Sequence, residues 1–190
     1  EDPGGTVLFT DFDGTLSPIV EVPEDAAPLS GAVEVLVALS ARYRDVVVVS
    51  GRPLDFLARH LPTEVTVVGL YGLEGRTAGT RWEHPQGGTW REVVGDVAAL
   101  AASSGPAGAR VESKGLSLTL HYRGHPELAD EVASFAHSLA ERSGLEPRAA
   151  RMSVELHPPI ATDKGTVVER FAAGASAALD AGDDAGDLPA

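Results

Sequence analysis

Residues 7–17 read VLFTDFDGTLS. Val7–Thr10 are apolar or β-branched, as in a short buried strand. The run breaks at Asp11-Phe12-Asp13-Gly14-Thr15, where two carboxylates two residues apart precede a turn glycine. In open α/β sheets, ligands bind beyond the carboxyl ends of the strands. Like charges at such a place repel unless a cation is shared, and a hard divalent ion with oxygen ligands suits a pair of aspartates. The ordinary alternative is a surface turn rich in Asp and Gly. That alternative leaves unexplained why acidic and small polar residues close other strands of this chain.

Bulk composition narrows the classes. At 190 residues the chain can bury a sizeable core, and 43% hydrophobic with 23% charged residues is ordinary for a globular protein. A net charge of -13 and a pI of about 4.7 disfavour nucleic acid as a partner. An anionic substrate therefore needs a local metal, Lys or Arg. The absence of cysteine removes disulfides, cysteine-ligated zinc and cysteine-nucleophile phosphatases. No apolar run reaches membrane-spanning length, and the opening EDPGG is unlike a signal peptide. A cytoplasmic, monomeric enzyme or binding protein with no membrane partner is expected.

Along the chain, Pro18, Pro23 and Pro28 predict an irregular segment with Glu21, Glu24 and Asp25 in solvent. Ser30 reads as the N-cap of a helix to about Tyr43, with Val33, Leu36, Val37 and Leu39 inward. Val46–Val49 predict a strand buried on both faces of a parallel sheet. It closes in Ser50-Gly51-Arg52-Pro53, and Pro53 opens a helix carrying Leu54, Leu57, Ala58 and Leu61. Val65–Gly69 reads as a third strand, Leu70–Gly75 as a glycine-spaced loop, and 75–88 as a polar linker.

From Thr89 the pattern changes. Trp90, Val93, Val94, Val97 and Ala101 recur at helical spacing, with Thr89 as cap. Strands follow at Arg110–Lys114 and Leu116–Arg123; in the second, Leu116, Leu118, Leu120 and Tyr122 alternate with Ser117, Thr119, His121 and Arg123, as in an antiparallel sheet with one wet face. Pro126 starts a helix that Gly144 stops, and Arg151–His157 alternates again. This helix-strand-strand-helix-strand block predicts an inserted cap. After Pro158-Pro159, Asp163 reads as the N-cap of a helix with Lys164 in its first turn, and Ala177–Ala181 as a last strand closed by the acidic turn 182–187. A doubly wound sheet continues beyond such a turn, so further strands are expected past Ala190. The expected fold is α/β: a Rossmann-like doubly wound parallel-sheet core, residues 1–84 and 159–190, with an inserted α+β cap, residues 85–158, of antiparallel sheet and helices.

On one parallel sheet the strand ends bring Asp11, Asp13, Ser50 and Asp183 together, with Lys164 as the available cation. Each suits phosphoryl transfer. One carboxylate can form an aspartyl-phosphate, and a second can protonate the leaving oxygen and then activate water. Magnesium held by carboxylates lets an anionic nucleophile approach a phosphate. Lys164 and the Ser50 hydroxyl can hold phosphoryl oxygens. A lysine at a helix start opposes the helix dipole, which itself points to a nearby anion.

DFDGT, the strand ending at Ser50, Asp163-Lys164-Gly165 and GDDAGD resemble the motifs of the haloacid dehalogenase superfamily. The resemblance implies Asp11 as nucleophile, Asp13 as acid/base, and Ser50, Gly51 and Lys164 as phosphate-binding residues. It also implies Mg2+ held by Asp11, Asp13 (through its carbonyl) and Asp183, supported by Asp184 and Asp187. More finely, DFDGTLSPIV, VVVVSGRP, ESKGLSLTLHYR at 112–123 and SVELHPP at 153–159 are similar to the trehalose-6-phosphate phosphatase family. That similarity implies trehalose 6-phosphate as substrate, in trehalose biosynthesis, with Glu112, Lys114 and Glu155 contacting the sugar. Two departures stand out: Tyr71-Gly72-Leu73-Glu74-Gly75 in the glycine-rich segment where the family often has a histidine, and Ala185-Gly186-Asp187-Leu188 where the acidic motif usually continues with Thr-Asp-Glu. Alternatives are another sugar phosphate (sucrose phosphate or a mannosyl-phosphoglycerate) or a catalytically silent sugar-phosphate-binding regulator.

Overall fold

Four consecutive valines, Val46–Val49, divide between two hydrophobic cores on opposite faces of one sheet. The computed structural model describes residues 2–20 and 22–183. The strands of this sheet are β1 (Thr6–Thr10), β2 (Asp45–Val49), β3 (Thr66–Gly69), β4 (Glu74–Thr77), β5 (Thr80–Glu83) and β10 (Ala177–Ala181), in the order β10-β1-β2-β3-β4-β5. β10, β1, β2 and β3 are parallel, and β4 and β5 add an antiparallel hairpin at one edge. Val46 and Val48 pack with Leu36 of α1 (Ala32–Ser40) and Leu54, Phe56 and Leu57 of α2 (Leu54–His60). Val47 and Val49 pack with Val7, Phe9 and Val68 against Val167 of α5 (Lys164–Ala172). Each such valine contributes roughly 1.5–3 kcal/mol by leaving water. Helices on both faces make this the α/β sheet that the valine run predicts.

A second sheet of four antiparallel strands has the order β6-β7-β9-β8: β6 (Arg110–Ser113), β7 (Leu118–His121), β9 (Ser153–His157) and β8 (Glu146–Ala150). One face, carrying Leu118, Leu120, Val154 and Leu156, packs on α3 (Gly87–Ser104) and α4 (Ala129–Ser143) through Val94, Val97, Val132, Ala136 and Leu139. The chain thus divides into two compact units, one of residues up to 83 and from 162 onward, the other of residues 84–161. Among the described residues no helix is long and apolar enough to cross a membrane.

Several local expectations are corrected. The segment 75–88 is no linker: Thr77 pairs with Thr80 across Ala78-Gly79, a hairpin whose turn residues both have positive φ, 48° and 76°. Alanine is a weak turn signal, so the hairpin is hard to foresee. Trp82 lies over Gly75, supplying the packing that a strand glycine lacks. β8 is likewise unforeseen, because Pro147 and Arg148 interrupt any apolar pattern. α1 is capped at Gly31 rather than Ser30, and only Leu36 of its apolar residues is fully buried; Val37 is 37% exposed. Thr89 lies inside α3, whose cap position is Gln86. The polar face of the second sheet is not wet throughout, since Ser117 and Thr119 are buried. Along the β10–β1 edge an apolar surface carrying Leu29, Val35 and Leu179 stays exposed.

Candidate active site

Asp11 is the first residue past β1. Its backbone N–H donates to the Ala181 carbonyl at 2.9 Å, so the end of β10 sets its position. Its Oδ1 accepts the Phe12 N–H at 2.7 Å, and its Oδ2 lies 3.0 Å from Lys164 Nζ. Both side chains of the pair are buried. Lys164 is held there by its helix: Asp163 caps α5 through a reciprocal capping box with Thr166. The helix dipole disfavours a cation at that place, and the Asp11 carboxylate offsets it. Phe12, 0% exposed, anchors the loop edge-on against Phe56 at 5.7 Å.

Asp13 makes a bidentate pair with Arg52, Nε to Oδ2 at 2.8 Å and Nη2 to Oδ1 at 2.7 Å. Arg52 also donates to the Pro23 carbonyl at 2.6 Å and stacks on the Phe56 ring at 4.5 Å. The partner of Asp13 was not foreseen. The usable signal is that β1 and β2 are neighbouring parallel strands, so the turns that close them lie side by side. Gly14 has φ of +85°, and a Cβ there would collide with the Asp183 carboxylate. Asp183, just past β10, therefore packs directly onto the DFDGT loop. Ser50, 1% exposed, donates its N–H to Val68 and accepts the Arg52 N–H on Oγ at 3.2 Å, leaving its hydroxyl proton for another acceptor.

The structure thus gathers Asp11, Asp13, Ser50, Gly51, Lys164 and Asp183 at the carboxyl ends of parallel strands in the first unit. Asp184 and Asp187 lie outside the described residues. Glu112, Lys114 and Glu155 lie in the second unit, on the face of its sheet away from the helices. The register aligns Glu112, Thr119, Glu155 and Arg148 in one row across all four strands. Ser117 donates to Glu155 Oε1 at 2.6 Å, and Lys114 Nζ stands 3.6 Å from the same oxygen. The buried Thr119 Oγ1 has no hydrogen-bond partner among the described residues. Thr119 stands between Glu112 and Glu155 in that row.

Glu112 Oε2 accepts from His121 Nε2 at 2.6 Å. That bond, then the charges of Lys114, His121 and Arg110, hold its carboxyl below the ordinary 4.5 against the opposing effect of burial. A depressed carboxylate contributes stability above its unfolded pKa and loses it as pH falls through the folded one. Acid titration of the unfolding midpoint from about pH 5 downward should therefore be less steep in Glu112→Gln than in the wild type. Equal slopes would mean that the pair contributes nothing.

The donor chemistry accommodates magnesium. Asp11 and Asp183 carboxylates with the Asp13 carbonyl form an oxygen-only set, which suits a hard cation that keeps several waters. Among the described residues no group of three His, Asp or Glu side chains forms a closed metal cage.

A family model described as trehalose-phosphatase matches residues 9–189 of this chain. The chain belongs to the trehalose-phosphatase family. The trehalose-phosphate phosphatase of Mycobacterium leprae (strain TN) is 34% identical over 163 residues, covering 83% of this chain and 38% of that protein. An uncharacterized glycosyl hydrolase of Mycobacterium tuberculosis (strain ATCC 25618 / H37Rv) is 34% identical over 169 residues, 85% of this chain but 12% of its own length. The chain therefore spans well under half of these relatives. Among solved structures, a trehalose-6-phosphate phosphatase related protein superposes with a TM-score of 0.80 at 26% identity, covering 95% of this chain and 79% of that one. The sucrose-phosphatase from Synechocystis sp. PCC6803 superposes with a TM-score of 0.60 at 16% identity over 97% of this chain and 78% of that chain, a likeness of fold. Family membership places the chain in the haloacid dehalogenase superfamily.

Proposed function

We propose that this chain hydrolyses trehalose 6-phosphate to trehalose and phosphate with magnesium, through an aspartyl-phosphate on Asp11. The observation that carries the chemistry is the buried Asp11–Lys164 pair at the strand end, with Asp13 two residues on. The Asp11 carboxylate attacks phosphorus as the sugar oxygen departs. Asp13 gives that oxygen a proton, then takes one from the water that attacks the aspartyl-phosphate, releasing phosphate and restoring Asp11. Lys164, the Ser50 hydroxyl and the Gly51 N–H hold the other phosphoryl oxygens and take up transition-state charge. Asp13 is held by Arg52 through both oxygens, so one of those bonds has to open before it can donate. Asp11, the Asp13 carbonyl and Asp183 would hold magnesium, which would supply charge neutralisation between nucleophile and phosphate. Asp184 and Asp187 are assigned to support of that site.

The 84–161 unit is the sugar-recognition cap in this reading, and the remainder is the catalytic core. Glu112, Lys114 and Glu155 meet sugar hydroxyls, beside the Thr119 hydroxyl, which has no partner among the described residues. The test is phosphate release from a panel of sugar phosphates and one aryl phosphate, with and without magnesium. Selective, magnesium-dependent release from trehalose 6-phosphate is expected. Broad activity across the panel would keep the phosphatase and remove the trehalose assignment. No release, with sugar phosphate still bound, would favour a silent binding protein.

A further inference from the structure

The loop joining β3 to β4 grips the turn that closes β2. The Leu70 N–H donates to the Arg52 carbonyl and the Tyr71 N–H to the Ser50 carbonyl, each at 3.1 Å. Glu74 Oε1 accepts the Leu54 N–H at 2.7 Å, satisfying a free donor in the first turn of α2. The phenol end of Tyr71 fills the place that a side chain at Gly51 would occupy. A Cβ on Gly69 would meet the Arg52 carbonyl oxygen at 2.8 Å. Every residue from Ser50 to Leu54 except Pro53 is thus touched by the segment 69–74.

The backbone is bent to achieve this. Hairpin loops of this length are ordinarily built around a type I turn with right-handed central residues. Here Leu70 and Tyr71 take φ of +48° and +56°, a conformation that costs side-chain-bearing residues free energy and persists only where surroundings enforce it. Leu70, 0% exposed, is locked in by packing, and both strained residues direct their N–H groups at the same turn.

We propose that residues 69–74 form a strap that presets the phosphate-binding turn, with Tyr71 and Glu74 as positioning residues for Ser50 and Gly51. The proposal rests on the assignment of that turn to phosphate made above. A phosphate site built from one hydroxyl and a backbone N–H gains from being fixed before the anion arrives, because donors already in place need no reorganisation. The Tyr71 ring bars the turn from relaxing toward its open side, and Glu74 ties its far end to the sheet. Through the backbone of Arg52 the strap also steadies the guanidinium that holds Asp13.

The experiment measures the inhibition constant of inorganic phosphate and the KM and kcat for an aryl phosphate, alongside melting temperature, in Tyr71→Ala, Tyr71→Phe, Glu74→Ala and Glu74→Gln. A displaced turn should weaken phosphate inhibition and raise KM by a common factor of about ten- to a hundredfold in the alanine variants. Tyr71→Phe keeps the ring and Glu74→Gln keeps an acceptor oxygen, so both should recover most of the affinity. Gly51→Ala should be far less harmful on a Tyr71→Ala background than alone, since the ring it collides with is gone. Alanine variants that melt lower yet bind phosphate like the wild type would overturn the strap. So would equal effects of Gly51→Ala on both backgrounds. A wild-type protein that neither binds phosphate nor hydrolyses the aryl ester would instead overturn the phosphate assignment, and the strap's purpose with it.

Discussion

Asp11→Asn should lower phosphate release by on the order of 10⁴-fold or more while leaving the chain folded. The amide nearly matches the carboxylate in shape but is no nucleophile, so the covalent route closes. Its one carbonyl oxygen can accept either the Phe12 N–H, as Oδ1 does, or the Lys164 ammonium, as Oδ2 does, and its NH2 group then faces the other donor. The neighbouring charge is the second consequence. Lys164 is 6% exposed at a helix start, and Asp11 is the anion 3.0 Å from it. Removing a buried partner outright costs about 3–5 kcal/mol, and retention of an accepting oxygen should keep Asn below that range. Circular dichroism and melting then separate loss of chemistry from loss of fold. A variant that turns over at wild-type rate would remove Asp11 from the mechanism.

Phe12→Ala should be the most costly apolar truncation near the site, about 3–5 kcal/mol by urea denaturation. Phe12 is fully buried between Asp11 and Asp13, and its ring meets Phe56 edge-on. Its anchor therefore serves two ends, core packing in the layer of Leu36, Val46 and Leu57 and the aim of both carboxylates. Activity should fall along with stability, and at temperatures where the variant remains folded kcat should still be depressed. Phe12→Leu retains most of the apolar volume and should cost less than half as much in stability. If Phe12→Ala melts like the wild type, the core on this face of the sheet is not what holds the loop.

The parts of this architecture legible in the amino-acid order are those set by strong local chemistry. Val46–Val49 can be satisfied only with apolar partners on both faces, and the sheet supplies them. Asp163 announces the start of α5, and Gly144 the end of α4 with φ of +78°. Lys164 at a helix start anticipates an anion, and Asp11 stands there. What escapes notice depends on distant contacts. Arg52 meets Asp13 because two parallel strands end together, a pairing with no local trace in SGRP. The β4–β5 hairpin turns through an alanine with positive φ, and β8 begins Glu-Pro-Arg, so neither carries its usual signal. Ser117 and Thr119 alternate as a wet face would, yet they are buried in a polar row with Glu155. Alternation distinguishes the two faces of a strand; it does not say whether the polar one meets water, other side chains or a ligand.

The nucleophile is the claim on which the proposed mechanism turns. Its most direct test is acid quenching during hydrolysis of an aryl phosphate with magnesium, followed by peptide mass spectrometry of the trapped protein. The account predicts a phosphoryl group on the peptide bearing Asp11, labile to hydroxylamine as acyl phosphates are, and absent from Asp11→Asn. Sustained turnover with no phosphoryl-protein at any quench time, together with an active Asp11→Asn, would contradict it.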